Sequence, residues 1–296
     1  GRAHFGHCRK DPALKHLTNK QLIMLWHRRL PHPSASRLHR SITKQHIKGT
    51  GIDINTPLKV FEEVIQGKCK ACELGKARLP AHHRTEPPNN KHSSAPGERL
   101  HFDTKTINKR SWGNNIMTGI LVDDFTRELS SHPMRAKSET PDVLATHQLE
   151  HIQPNQFNTK VIRMDRAGEQ TGESMKKFCA KFRIKPNFNS PGDSRGNGVA
   201  ERHIEIVEAA ANTYRCQSAL PVSSWAETYA TACVGLNFLC NAANPGMQSA
   251  MQMLRNGDSQ DVSFMRIPGC KCIVFTHPKN RRPQEDRGVE GILVGY

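Results

Sequence analysis

Residues 159–202 constrain the fold more than any other stretch of the chain. TKVIRMD is a β-branched run, with Val161 and Ile162, that reads as a short buried strand ending on Asp165. The stretch closes on Asn197-Gly198, a turn or breaker pair, and then a helix whose first turn carries Glu201. Thirty-five residues lie between Asp165 and Glu201. Upstream, LHFDT is a second strand pattern with its own carboxylate, Asp103. Acids from two strands and one helix can converge on one or two divalent cations. Hard cations such as Mg²⁺ need only a few carboxylates beside a substrate phosphate. Two-metal phosphoryl transfer asks that such carboxylates hold ions about 3.5–4 Å apart. Isolated acids are also ordinary surface groups, and Asp123, Asp124 and Glu169 are equally available, so spacing alone leaves the trio open.

The flanking pattern supplies the fold class. Strands are expected at 100–107, 116–123 and 128–135, then a helix at 141–152, a strand at 160–165, a helix at 174–182, a short strand at 184–189 and a helix at 199–216. Ser138 or Thr140 offers an N-cap before Pro141 at the first helical position. A further helix opens on Ser224-x-x-Glu227, a capping-box pattern, and runs apolar through Leu239. Three consecutive strands followed by alternating helices and strands describe an α/β domain with a mixed sheet. CKCIVF and GILVGY, separated by PKNRRPQEDR, read as two small strands of an extension. The expected organisation is a disordered or linker segment at 1–16, a zinc-binding unit at 17–77, a linker at 78–98 rich in Pro, Asn, Ser and His, a core at 99–245, and an extension at 246–296. The chain starts at Gly1 rather than Met and stops just after GILVGY, so it reads as a piece of a longer polyprotein or gene.

His27 and His32 are followed, with 36 residues between the second and the first cysteine, by Cys69-Lys70-Ala71-Cys72. Two imidazoles and two thiolates make the N₂S₂ set that Zn²⁺ accepts in closed structural sites. The plainer alternative is two of sixteen histidines and a surface dithiol, but a redox CxxC would want a thioredoxin-like βαβ context that is missing. Four protein ligands leave no open position, so such a zinc would be structural, stabilising a small helical domain with little core of its own.

Charge points to a polyanion. The chain has 43 Lys and Arg against 27 Asp and Glu, a formal +16, which fits nucleic acid as the partner. Residues 1–99 hold 19 basic and 7 acidic side chains, whereas 100–296 hold 24 and 20. Arg28, Arg29, Arg37 and Arg40 in the basic third, and Arg202 beside Glu201, are candidate phosphate contacts; a solvated helix face is their plain alternative. The nine cysteines form no dense framework, which suits a reducing compartment. No apolar run approaches membrane-spanning length.

WHRRLPHPS, CKACELGK, VDDFTR, NGVAER, SSWAETYATACVGLNFL and GILVGY, in this order, resemble the integrase of copia-type LTR retrotransposons from about Leu17 onward. The resemblance implies a ribonuclease H-like fold, an Asp–Asp–Glu triad at Asp103, Asp165 and Glu201, and zinc ligands at His27, His32, Cys69 and Cys72. It implies DNA strand transfer with Mg²⁺ (or Mn²⁺): a 3′-hydroxyl at the end of the element's DNA attacks a target phosphodiester, with no protein nucleophile. Element ends and target DNA are then partners, the enzyme works as a homo-oligomer, and it acts in the nucleus after passing through the cytoplasm in the element's particle. The chain departs from the family's pattern at Arg166-Ala167, at 192–196, and at His203, Glu205 and Glu208. A catalytically impaired, zinc-stabilised nucleic-acid-binding module is the second reading, and a ribonuclease H-like nuclease that hydrolyses with water is the third.

Overall fold

The computed structural model describes residues 14, 16–76, 93–164, 172–188, 198–276 and 286–296. Helix α1 (Asn19–Arg29) starts on a capping box, in which Thr18 Oγ1 accepts from the Gln21 N–H and the Gln21 side chain reaches back to the Thr18 N–H. It buries Leu22, Ile23 and Trp26. Pro31 and Pro33 end the turn beyond it, and Ser34 caps α2 (Ala35–Thr43) through the Arg37 N–H. A two-residue strand β1 (Ile47–Lys48), α3 (Leu58–Ile65) and the short α4 (Lys70–Gly75) complete this part.

The sheet follows as β2 (Arg99–Thr106), β3 (Met117–Asp123) and β4 (Leu129–Met134), an antiparallel meander. Helix α5 (Thr140–His147) runs on into a π turn, Gln148–Ile152. Strand β5 (Val161–Met164), α6 (Glu173–Phe182) and β6 (Lys185–Phe188) add parallel strands on the far side of β2. The order is β4-β3-β2-β5-β6. Then come α7 (Gly198–Ser218), α8 (Trp225–Phe238), the one-turn α9 (Ala250–Leu254), β7 (Gln260–Asp261), and the antiparallel pair β8 (Lys271–Phe275) and β9 (Gly288–Ile292). A three-strand meander extended by parallel strands and covered by helices is the ribonuclease H-like plan.

Alternation along the strands separates two cores. Leu100 and Phe102 of β2 and Met117 and Leu121 of β3 point to one face, where Leu144 of α5 and Met175 and Phe178 of α6 cover them. Ile120 and Val122 of β3 point to the other, toward α7 and α8. Both faces are covered, so every residue of β3 is buried.

That second core does not stop at the sheet domain. Leu22, Ile23, Trp26, Leu30, Leu38 and Phe61 belong to the same cluster as Val207, Tyr214 and Leu236. Tyr214 Oη donates to the Arg29 carbonyl at 2.9 Å, and the Cys240 N–H donates to Ser41 Oγ at 2.9 Å. Close approach is built in by glycine: a Cβ on Gly235 would lie 2.5 Å from Pro31 Cδ, and one on Gly75 2.6 Å from Thr213 Cα. β1 pairs in parallel with β7, Ile47 beside Gln260. The expected small helical unit with little core of its own is present, and it is completed from outside: the amino-terminal helices bury their apolar faces against α7, α8 and the segment after α9.

Local capping differs from the sequence reading in two places. Thr140 lies inside α5 and Glu139 takes the N-cap without a side-chain bond. Ser224-x-x-Glu227 does not close as a capping box, because Ser224 Oγ donates to the Pro221 carbonyl at 2.7 Å and a 3₁₀ turn, Val222–Ser224, leads into α8. At the carboxyl end the strand covers 288–292 rather than GILVGY, and Tyr296 turns back to donate from Oη to the Arg266 carbonyl at 2.9 Å.

Candidate functional site

Two places carry metal-ligand chemistry, and they are built differently. The first joins the end of α1, the turn after it and the start of α4. His27 sits in the last turn of α1, His32 in the turn between two prolines with φ +48°, Cys69 at the N-cap of α4 and Cys72 in its first turn. The four ligand atoms all lie within 4.8 Å of one another, and no other group of three or more His, Cys, Asp or Glu among the described residues converges in this way. His32 Nδ1 is 3.1 Å from His27 Nε2 and 3.3 Å from Cys69 Sγ, and Cys72 Sγ is 3.3 Å from His27 Nε2. A tetrahedron with zinc bonds of about 2.0–2.3 Å has edges of about 3.3–3.8 Å, so the set fits a closed zinc site.

The surroundings prepare the ligands. His27 Nδ1 is 3.0 Å from the Pro33 carbonyl, which can only accept; Nδ1 therefore carries the proton and Nε2 keeps its lone pair for a metal. Burial lowers the His27 pKa to about 4 and the His32 pKa to about 2, so both rings are neutral at pH 7. Burial also pushes the Cys72 thiol up to about 12 despite the Lys76 ammonium nearby. Lys76 Nζ donates to the His32 carbonyl. Gln217, from the last turn of α7, raises the proton affinity of the His32 ring and donates from Nε2 to the Arg28 carbonyl at 3.2 Å. No local pattern marks Gln217, which is 185 residues from His32.

The second place lies on the α7 face of the sheet. Leu100 and Phe102 face away from α7, so His101, Asp103 and Lys105 face it; Lys105 Nζ reaches Glu208 of α7 at 3.3 Å. Asp103 is half-buried, and its Oδ1 accepts from the Thr104 N–H at 2.7 Å. β5 runs parallel beside β2 with Arg163 next to His101, and Met164 is its last residue. Asp165 follows Met164 in the chain and lies outside the described residues. Glu201 is exposed on the first turn of α7. Asp103 and Glu201 are thus on elements that face each other, with hard oxygen donors suited to Mg²⁺.

The VDDFTR stretch has a structural role. Asp123 Oδ1 accepts from the Thr126 N–H at 2.6 Å and its Oδ2 from the Gly97 N–H at 2.7 Å, which closes the turn after β3. Asp124, fully buried, lies 3.0 Å from both His101 Nε2 and Arg127 Nη1, and Ser93 Oγ donates to it at 2.8 Å. These two acids are committed inside the fold, beneath the face that carries Asp103.

The arginines divide. Arg28 and Arg202 are exposed and Arg40 is half-buried. Arg29 is buried, with its guanidinium 5.0 Å from the centre of the Trp26 ring, and Arg37 Nε donates to the Cys240 carbonyl at 2.9 Å. The Arg37 bond ties α2 to the residues after α8, and the Arg29 side chain is too buried to be offered to a phosphate.

Comparison with known proteins places these features in a family. The GAG-pre-integrase domain matches residues 6–77 and the integrase core domain residues 93–194. All four His and Cys ligands fall in the first match, Asp103 and Asp165 in the second, and Glu201 beyond it. Similar relatives include the retrovirus-related Pol polyproteins from transposon RE1 of Arabidopsis thaliana (25% identical, covering 92% of this chain and 17% of the relative) and from transposon TNT 1-94 of Nicotiana tabacum (28%, 63% and 14%). The Ty1-NL2 Gag-Pol polyprotein of Saccharomyces cerevisiae is 26% identical over 94% of this chain and 16% of its own length. The chain spans less than a fifth of these relatives. Among solved structures, the HTLV-2 integrase catalytic core domain in complex with magnesium aligns with a TM-score of 0.41 at 18% identity, over 53% of this chain and 96% of that one. The chain thus joins a GAG-pre-integrase domain to an integrase core domain and is similar along nearly its whole length to the Pol polyproteins of copia-type LTR retrotransposons.

Proposed function

We propose that this chain joins the ends of an element's DNA to target DNA by metal-dependent strand transfer, acting in the nucleus as a homo-oligomer. The observation that carries the reading is the placement of Asp103 on the α7 face of β2, beside the parallel strand whose chain continues into Asp165 and opposite the helix that opens with Glu201. Asp103, Asp165 and Glu201 are the residues that would hold Mg²⁺ or Mn²⁺. When bound, such ions polarise the scissile phosphodiester and lower the pKa of the attacking 3′-hydroxyl. The protein's own contribution is positioning: acids from rigid elements fix where the reacting phosphate sits, and the exposed Arg28 and Arg202 balance charge on the DNA backbone. His27, His32, Cys69 and Cys72 would hold Zn²⁺ as a structural ion.

Asp165→Asn is expected to abolish Mg²⁺-dependent joining of oligonucleotides and to leave DNA binding intact; joining that survives this change overturns the reading. Glu205 and Glu208 on α7 favour a second reading, since acids beside the site repel phosphates. A folded, DNA-binding chain that joins nothing would make it a zinc-stabilised binding module, and cleavage without joining would make it a nuclease.

A further inference from the structure

Beyond Asp103 along β2 lies a cleft of about 340 Å³ that the catalytic reading does not use. Its walls are the end of β2, the second half of α7 and the start of α8, with Lys105, Asn108, Asn212, Arg215, Val222 and Tyr229 among its lining. One rim is the β2–β3 hairpin loop. This loop is fastened rather than free: the Trp225 indole N–H donates to the Lys109 carbonyl at 2.8 Å, and the Trp112 N–H to the Ser223 carbonyl at 3.0 Å. Those bonds hold the backbone of Trp112 against Ser223, next to Val222 in the lining of the cleft. Trp112 is 50% exposed, against 0% for Trp26 and 3% for Trp225. An exposed indole, on a hairpin whose backbone is fastened beside a polar cleft, offers a stacking platform.

The charge around it is cationic. Lys105 and Arg215 line the cleft with one carboxylate, Glu208, which pairs with Lys105 at 3.3 Å, and the hairpin beside it carries exposed Lys109 and Arg110, the latter donating from Nη1 to the Asn114 carbonyl at 3.5 Å. Lys109, Arg110 and Arg215 have no carboxylate partner among the described residues. Two carboxamides, Asn108 and Asn212, offer both donors and acceptors to a base edge. Aromatic face, cations and amides together match one ligand class, a single-stranded nucleic-acid segment whose base stacks and whose phosphates meet the basic rim. We infer that this cleft binds an unpaired stretch of DNA, with a base on Trp112 and phosphates at Lys109, Arg110 and Arg215. The choice of DNA rests on the strand-transfer reading. Lys105 is two residues past Asp103 on the same face of β2, about 7 Å along the strand, so a strand leaving the acidic site would reach the cleft within a nucleotide or two.

Titration of the full chain with end-labelled single-stranded oligothymidylate, without divalent cation, tests this by tryptophan emission and by anisotropy of the label. Binding is expected to quench emission, because the other two tryptophans are buried. Trp112→Phe is expected to remove the quench and keep the affinity, and Trp112→Ala to weaken binding about 5- to 150-fold. Removing Lys109 and Arg110 together should flatten the salt dependence, by about 0.7 in log–log slope for each phosphate lost. Binding with unchanged emission, or Trp112→Ala with unchanged affinity, overturns the inference, as does a duplex that quenches as well as the single strand. Joining activity without quenching refutes the cleft and leaves strand transfer standing. Quenching without joining supports the cleft and refutes strand transfer for this chain.

Discussion

The His–Cys cluster and the acidic face are both collections of metal-ligand side chains, yet one is built into the core and the other stands at the edge of the fold. His27, His32, Cys69 and Cys72 are packed at contact distance. Asp103 is half-buried on a strand, with Glu201 exposed on a helix. The difference follows from charge. Neutral imidazoles and thiols attract one another by hydrogen bonds and can be buried together, and burial keeps them neutral here. Carboxylates at pH 7 repel at the same distances and cannot be crowded without a cation or a shared proton. A zinc-type site can therefore be part of a core, whereas a magnesium-type site has to be held open at its edge.

Three experiments would break or sharpen that contrast, in order of expected effect. Chelation of zinc should destabilise the whole chain, since the cluster lies against the core shared with α7 and α8. With zinc a thousandfold above its Kd the loss is about 4 kcal/mol, or about 10 °C in Tm for a chain of this size. Calorimetry with and without chelator measures it, and an unchanged Tm would mean that packing alone holds the cluster. Next, Asp124→Asn strips the charge from a buried acid that serves Arg127 and His101. Loss of about 3 kcal/mol is expected, because the Arg127 cation is left buried without its counter-ion; denaturant midpoints would show it, and a neutral result would mean that the network relaxes around the amide. Smallest in stability is Asp103→Asn, which should stop joining and shift unfolding by no more than about 0.5 kcal/mol. A large loss of stability there would place Asp103 among the structural acids with Asp123 and Asp124.

Much of this was legible in the residues. The five sheet strands and the helices between them follow from period-2 and period-3.6 apolar spacing, with ends shifted by a residue or a few. The His–Cys cluster was legible because CxxC is a local device and His32 sits between Pro31 and Pro33, just past the helix end that carries His27. What the sequence concealed is tertiary. No spacing tells that Arg29 and Arg37 turn inward while Arg28 stays out, since all three sit in basic helical stretches. Asp124 reads like any acid until His101 and Arg127 close on it. Ser224 has the spacing of a capping box, but its hydroxyl finds the nearer Pro221 carbonyl first. Trp112 is a lone aromatic in a polar hairpin, which carries no periodic signal.

Tyr214 lying under Arg29, and β1 lying beside β7, carry a consequence for how such a polypeptide is made. During translation at roughly 5–20 residues per second, Trp26 and Leu30 leave the ribosome roughly 10 to 40 s before the helix that shelters them. For that interval their apolar surface has no native cover. The early segment must wait, collapsed or chaperone-held, until the later helices emerge, and a fragment ending near residue 77 would be expected to aggregate even when supplied with zinc.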